Sequence, residues 1–119
     1  MAYSRFDDTI LLLLDLCHHL DDDEIMCIMD VKNLMVKNEK FSVAYAAAAK
    51  NIYIKNFSAI QNQTYQLQRF SDVHTQIMQH IERQSPGIIQ LLDAVKLSRS
   101  QSTQTLDNMR RKIEQLKKK

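Results

Sequence analysis

Three neighbouring residues, Cys17-His18-His19, carry side chains that could bind a metal ion. Successive residues of a helix point about 100° apart, so these three cannot converge on one ion. Cys27 could complete a site only if the next helix folded back at a suitable register. Structural zinc sites have paired, closely spaced ligands, which this chain lacks. We therefore expect no metal and no cofactor, with Cys17 in the core and both cysteines free of disulfide bonds.

The acidic run Asp21-Asp22-Asp23-Glu24 could hold a cation. It lacks the alternating Asp-x-Asp-x-Asp-Gly ligands of a calcium loop. Aspartate is a preferred N-cap residue, and acids in a first turn interact favourably with the helix dipole. The run therefore predicts the start of a helix.

Two histidines and one arginine are the remaining candidates for chemistry. His74 and His80 are six residues apart, which excludes the i,i+4 pair of a helical metal site. Arg69 and His74 have Arg-x4-His spacing, and this pair resembles that of the small all-helical HEPN ribonucleases. Phe70 stands where that family has a polar residue, and the pair lies mid-helix and not near the C-terminal end. The resemblance implies RNA cleavage by Arg69 and His74 as a third functional hypothesis.

Other catalytic motifs are absent from the sequence. A chain with one glycine cannot form a glycine-rich phosphate-binding loop. It also contains no Gly-x-Ser-x-Gly and no Glu-x-x-His. We therefore expect a protein that is not an enzyme.

Glycine and proline occur once each in 119 residues, far below their average shares of about seven and five per cent. A β-rich fold needs turns, and turns need these residues. The composition predicts an all-α fold. We expect one domain over 1–119, an elongated helical bundle.

Apolar spacing predicts helices over 5–20 and 22–36, and a long third helix over 39–84. The segment 39–84 contains no glycine or proline. At ~1.5 Å per residue it would be roughly 65 Å long. We expect the first two helices to pack on its alanine-rich start, at Ala46–Ala49, and a break near Asn38 to separate it from the second helix.

Ser85-Pro86-Gly87 predicts a turn and an N-cap for a fourth helix over 86–117. Apolar residues there alternate at four and three, as in a coiled coil, so an antiparallel hairpin with 39–84 is expected. The stretch 98–105 is polar and poor in helix propensity, so either the helix continues there or a linker begins.

Charge is divided unevenly between the two ends of the chain. Residues 1–39 contain nine acids and three bases, a balance of −6, whereas 40–119 contain thirteen bases and five acids, a balance of +8. This division indicates either that the ends pack together or that each end meets a different partner.

Long apolar stripes on thin helices predict contact with a second chain, in a homodimer or a hetero-complex. The acid-free, amide-rich segment 40–71 is the expected contact surface. The candidate partner-binding residues are Tyr53, Phe57, Ile60, Gln61, Gln63, Leu106, Met109, Ile113 and Leu116.

The basic tail is formed by Arg110, Arg111, Lys112, Lys117, Lys118 and Lys119. Cations suit a helix C-terminus, so a solvated helix end is one interpretation. Contact with nucleic acid or acidic lipid is the other.

Together these patterns predict a non-enzymatic protein–protein interaction module, namely an assembly subunit, an adaptor or a secretion or export chaperone. The alternative is a nucleic-acid-binding protein that uses the basic faces of the helices over 39–84 and 86–117. No apolar run approaches the ~20 residues needed to span a membrane, and Leu11–Leu14 is too short for a secretory signal. A cytoplasmic or nuclear location is expected.

Overall fold

The computed structural model describes residues 5–17, 20–64, 69–98 and 103–118. The described residues form seven helices and no strand, so the predicted all-α class is confirmed. The helices are α1 (Arg5–Leu16), α2 (Asp22–Lys37), α3 (Glu39–Lys55), α4 (Phe57–Asn62), α5 (Phe70–Gln84), α6 (Ile88–Ser98) and α7 (Thr103–Lys117).

Polar side chains define where α2 begins and where α3 follows it. Asp21 caps α2: its Oδ1 accepts a hydrogen bond from Glu24 N at 2.9 Å, and Glu24 Oε1 accepts one from Asp21 N at 3.4 Å. Asn38 ends α2 by donating its N–H to Leu34 O, and its Oδ1 caps α3 by accepting from Phe41 N at 3.0 Å. The acidic run is therefore a helix start, and α2 and α3 are separate helices.

The prediction of a single long helix over 39–84 is wrong. A turn at Asn56 separates α3 from α4, and α4 ends at Gln63, whose φ of 56° is left-handed. After α4 the chain returns to α3, since α5 packs against α3. Asparagine and threonine have low helix propensity, so Asn62 and Thr64 do not favour a helix that continues beyond α4.

The prediction of an elongated molecule is also wrong, because the chain returns to α3 after α4. The radius of gyration is 14.0 Å and the principal extents are 41 × 35 × 30 Å, so no dimension approaches the expected 65 Å. The apolar residues of 39–84 are divided among helices, of which α3 and α5 lie on two sides of one core. Each of these two helices turns its apolar face toward that core, so the segment keeps the regular spacing expected of one long helix.

The segment 86–117 forms α6 and α7, and the polar stretch 99–102, with Arg99 and Ser102, lies outside the described residues. Helix α6 packs against α5 and α2, whereas α7 packs against α1 and α2. Helix α5 thus contacts the helix that follows it, but the expected antiparallel, coiled-coil-like hairpin is not confirmed.

Glu82 caps α6, in place of the predicted Ser85. The Glu82 carboxylate accepts hydrogen bonds from Gly87 N at 3.0 Å and Ile89 N at 3.2 Å. These bonds lower the pKa of Glu82, with the bond from Gly87 the largest cause. Helix α6 begins at Ile88, two residues later than predicted.

The core lies where α1, α2, α3 and α5 meet. Ala49 is fully buried and Ala48 nearly so, and both α1 and α2 pack on α3, as its alanine-rich start predicts. The largest completely buried side chains are Tyr45, Phe41, Phe70, Ile10, Leu13, Ile28, Ile77 and Ile81. None of the helices in the described ranges has the length and apolarity required to cross a membrane.

Candidate functional site

Five of the predicted partner-binding residues lie together at the end of α3 and along α4. The Tyr53 and Phe57 rings are 5.9 Å apart, centroid to centroid, and Phe57 is 42% exposed. Tyr53 and Ile60 are half-buried, and Gln61 and Gln63 are exposed. Ile54, which was not among the predicted residues, is 57% exposed. We call the set Tyr53, Ile54, Phe57, Ile60, Gln61 and Gln63 the α4 surface.

Asn56 and Gln63 position this surface through backbone hydrogen bonds. Asn56 N–H and Asn56 Nδ2 both donate to Ile52 O, at 3.3 and 2.8 Å, which closes the last turn of α3. At the far end of α4, Gln63 N donates to Ile60 O at 3.1 Å. No residue of α4 is buried, and its main packing partner among the described helices is α3.

The predicted partner-binding residues of α7 lie elsewhere. Met109, Ile113 and Leu116 are each at most 7% exposed, and Leu106 packs against the same core. Helix α7 lies against α1 and α2, so the chain covers this apolar stripe itself. Met109, Ile113 and Leu116 are therefore not displayed at the surface, and Leu106 is half-buried.

Two residues of the basic tail pair with the acidic end of the chain. Arg110 Nη2 forms an ion pair with Asp22, and Lys112 Nζ lies 3.6 Å from Asp7 Oδ1. The described acidic and basic ends therefore pack together. Arg111, Lys117 and Lys118 are exposed, and Lys119 lies outside the described residues.

The cluster of Asp21, Glu24 and Arg69 joins α2 to the start of α5, and sequence reasoning missed it. Arg69 Nη2 pairs with Asp21 and lies 2.9 Å from Glu24 Oε1. Glu24 Oε2 accepts a hydrogen bond from Ser71 N at 2.9 Å, and Glu24 is only 3% exposed. One carboxylate thus caps two helices. The capping-box position of Glu24 was visible in the sequence, but its contact with residues 69–71 was not.

His74 and Tyr45 form a buried polar pair. His74 Nδ1 lies 2.8 Å from Tyr45 Oη, and the His74 ring stacks on Phe70. Burial, with a smaller effect of Lys96, lowers the pKa of His74 to about 4. Burial also raises the pKa of Tyr45 well above its ordinary value. His74 is therefore neutral at physiological pH.

The Arg-x4-His pair is not assembled into one cluster within this chain. Arg69 pairs with Asp21 and Glu24, while His74 is 8% exposed and bonded to Tyr45. Both side chains thus take part in packing the bundle.

Neither Cys17 nor Cys27 forms a disulfide bond. Cys17 is in the core, as predicted, and burial raises its pKa to about 12, with smaller effects of Glu24 and Asp72. His18 and His19 lie outside the described residues. Among the residues that are described, no three His, Cys, Asp or Glu side chains are close enough to hold a metal ion.

A further set of apolar side chains is exposed on α6. Ile88, Leu92 and Val95 face the core, whereas Ile89 and Leu91 are each 42% exposed and Leu97 is 88% exposed. The dense run Ile88-Ile89-Gln90-Leu91-Leu92 was the signal in the sequence, because one buried stripe cannot include all of its apolar residues.

Comparisons with protein families, with curated proteins and with solved structures found no match to this chain. Functional reasoning therefore depends on the surfaces described above.

Proposed function

We propose that this protein is a non-enzymatic protein–protein interaction module, an assembly subunit, adaptor or export chaperone, that binds its partner through the α4 surface. One observation carries the proposal. Helix α4 has no buried residue, yet it carries Phe57 and Ile60 and adjoins the exposed Ile54.

The composition of the α4 surface favours a protein partner. Interface centres are rich in aromatic and apolar side chains and depleted of charge, with a polar rim around them. Tyr53, Ile54 and Phe57 supply such a centre, and the exposed amides of Gln61 and Gln63 supply part of a polar rim, with the Asp15 carboxylate beside Tyr53. A partner seated here would remove the exposed apolar side chains from water.

The short length of α4 also supports the proposal. A helix of six residues is not stable on its own, and α4 packs chiefly on α3. A partner would add contacts on the exposed side of α4. The partner is either a second copy of this chain or a different protein. The absence of a disulfide bond at Cys17 and Cys27 suits the reducing cytoplasm.

The test compares the double variant Ile54→Ser/Phe57→Ser with the control Val43→Ser, which alters an exposed apolar residue at 49% exposure on α3. Sedimentation velocity of the purified chain over a wide concentration range reports self-association. If the wild type and Val43→Ser associate and the double variant is monomeric, the partner is a second copy.

If the wild-type protein is monomeric, the same variants are compared by affinity capture from cells of the source organism. The expected result is a protein retained by the wild type and Val43→Ser and lost with the double variant. A wild type that neither self-associates nor retains any protein in this selective way would refute the proposal.

A second candidate function, nucleic-acid binding, is favoured by a groove of about 180 Å³ between α3 and α5. Its polar lining residues, Asn51, Lys55, Gln76 and His80, include no acid. Basic and amide side chains of this kind contact the phosphates and the nucleobases of nucleic acids. The groove lies within the segment 39–84, one of the two segments whose basic faces the sequence predicts as a nucleic-acid contact.

Fluorescence anisotropy with a single-stranded RNA and a duplex DNA tests this candidate. Binding should fall steeply between 50 and 200 mM salt, because cations released from the nucleic acid drive such association. Lys55→Gln should weaken binding and Lys37→Gln, an exposed lysine of α2, should not. Absence of binding at 50 mM salt would refute it.

A further inference from the structure

A larger groove lies at the junction of α1, α2, α3 and α7. Its volume is about 470 Å³, which falls within the range of small-molecule sites. Six of its lining residues are Phe6, Asp7, Lys32, Met35, Val36 and Lys112. We call it the lysine groove.

Two lysines from different helices, Lys32 and Lys112, line this groove together with the carboxylate of Asp7. Lys112 Nζ lies 3.6 Å from Asp7 Oδ1, and Lys32 Nζ lies 5.9 Å from the centroid of the Phe6 ring. Burial and then the proximity of Lys112 lower the pKa of Lys32, while Asp7 acts in the opposite direction. Two ammonium groups and one carboxylate leave the groove with excess positive charge.

The other charged groups nearby do not cancel this excess. Arg5 also lines the groove, and its Nη1 lies 3.1 Å from Glu39 Oε2 at the start of α3. The Glu39 side chain is 80% exposed, so its pair with Arg5 is solvated. The charged residues that line the groove are thus three cations, Arg5, Lys32 and Lys112, and one carboxylate, Asp7.

One wall of the lysine groove is apolar. Phe6 and Met35 are 6% and 5% exposed and form its floor, while Val36 is 77% exposed at its rim. Methionine adapts to ligands of different shape. A purely inorganic anion would leave this wall in water, whereas a ligand with an apolar part would cover it.

We propose that the lysine groove binds a small amphipathic anion, with its carboxylate or phosphate group between Lys32 and Lys112 and its apolar part along Phe6, Met35 and Val36. The anion relieves the repulsion between the two ammonium groups and accepts a charge-assisted hydrogen bond from each. Such a ligand is either an acyl carboxylate or a nucleoside monophosphate. This site is separate from the α4 surface and does not depend on the proposed function.

Isothermal titration calorimetry of the full chain tests the proposal with sodium dodecanoate, adenosine monophosphate and inorganic phosphate. Saturable binding of dodecanoate alone identifies the acyl class, and binding of adenosine monophosphate alone identifies the nucleotide class. Inorganic phosphate should bind at least tenfold more weakly than the better organic anion, because it cannot cover the apolar wall. Equal binding of phosphate, or no binding of either organic anion, would overturn the proposal.

Matched variants locate the site. Lys32→Gln should weaken binding about tenfold, the loss expected for one charge-assisted hydrogen bond. Lys117→Gln, an exposed lysine of the same basic tail, should leave affinity unchanged. Because Lys32 is half-buried, circular dichroism must show that its variant is folded.

An exposed variant keeps the test independent of folding. Val36→Asp places a carboxylate at the rim and should weaken binding, whereas Val43→Asp, at an exposed valine of α3, should not. Equal affinities for the Val36→Asp and Val43→Asp variants would place the ligand elsewhere and overturn the proposal.

Discussion

Replacing Glu24 by alanine should destabilise the protein strongly, because this carboxylate caps two helices. Glu24 is 3% exposed and accepts hydrogen bonds from Asp21 N at 3.4 Å and Ser71 N at 2.9 Å. Loss of one helix cap costs about 1 kcal/mol, and leaving a buried donor unpaired costs ~1–3 kcal/mol. We expect the free energy of unfolding to fall by about 2–3 kcal/mol. That is a large share of the ~5–15 kcal/mol typical of a domain.

Urea unfolding followed by circular dichroism at 222 nm measures this loss, and the m-value should be unchanged if the fold is retained. The control is Glu39→Ala, since Glu39 makes one solvated ion pair with Arg5 and its side chain is 80% exposed. Changes at such surface sites stay within about 0.5 kcal/mol. Glu24→Gln keeps an acceptor oxygen and should fall between the two. Equal stabilities for Glu24→Ala and Glu39→Ala would show that Glu24 does not join α2 to α5 as described.

Three further predictions concern acid stability, a backbone conformation and a thiol. Because the pKa of His74 is about 4 in the folded protein and ~6.5 when unfolded, the unfolded state binds more protons between these values. Stability should therefore decrease by up to ~3 kcal/mol as pH falls from 6.5 to 4, and His74→Gln should lack this component in urea titrations at each pH. Gly87 has a φ of +104°, so Gly87→Ala should lower the free energy of unfolding by about 1 kcal/mol; no loss would mean that the turn relaxes. Cys17, with a pKa raised to about 12, should react with Ellman's reagent only on unfolding, whereas the less buried Cys27 should react first. Equal rates for the two thiols would contradict the burial of Cys17.

The sequence indicated part of the candidate site. The residues from Tyr53 to Gln63 share an amide-rich stretch without acids, and the structure displays them on α3 and α4. The same reasoning included Met109, Ile113 and Leu116, which are buried by α1 and α2. The two stripes have similar spacing, so periodicity could not tell which of them the chain itself would cover.

The distribution of charge along the sequence likewise could not show which charged residues meet in the fold. The division of acids and bases predicted either that the two ends pack together or that each meets a different partner. The structure pairs Arg110 with Asp22 and Lys112 with Asp7. The meeting of Lys32 with Lys112 has no signature in sequence, because the two residues are eighty positions apart and converge only when α7 packs on α1 and α2.

Local signals determined the all-α class and several helix ends. The scarcity of glycine and proline excludes a turn-rich fold, and the capping groups of Asp21 and Asn38 act within four residues of the helix ends they define. Tertiary structure alone decided that 39–84 folds back after α4, that Glu24 caps α5, and that no residue of α4 is buried. The physical reason is that hydrophobic periodicity specifies which face of a helix avoids water. What covers that face is decided by long-range packing, which depends on the whole chain.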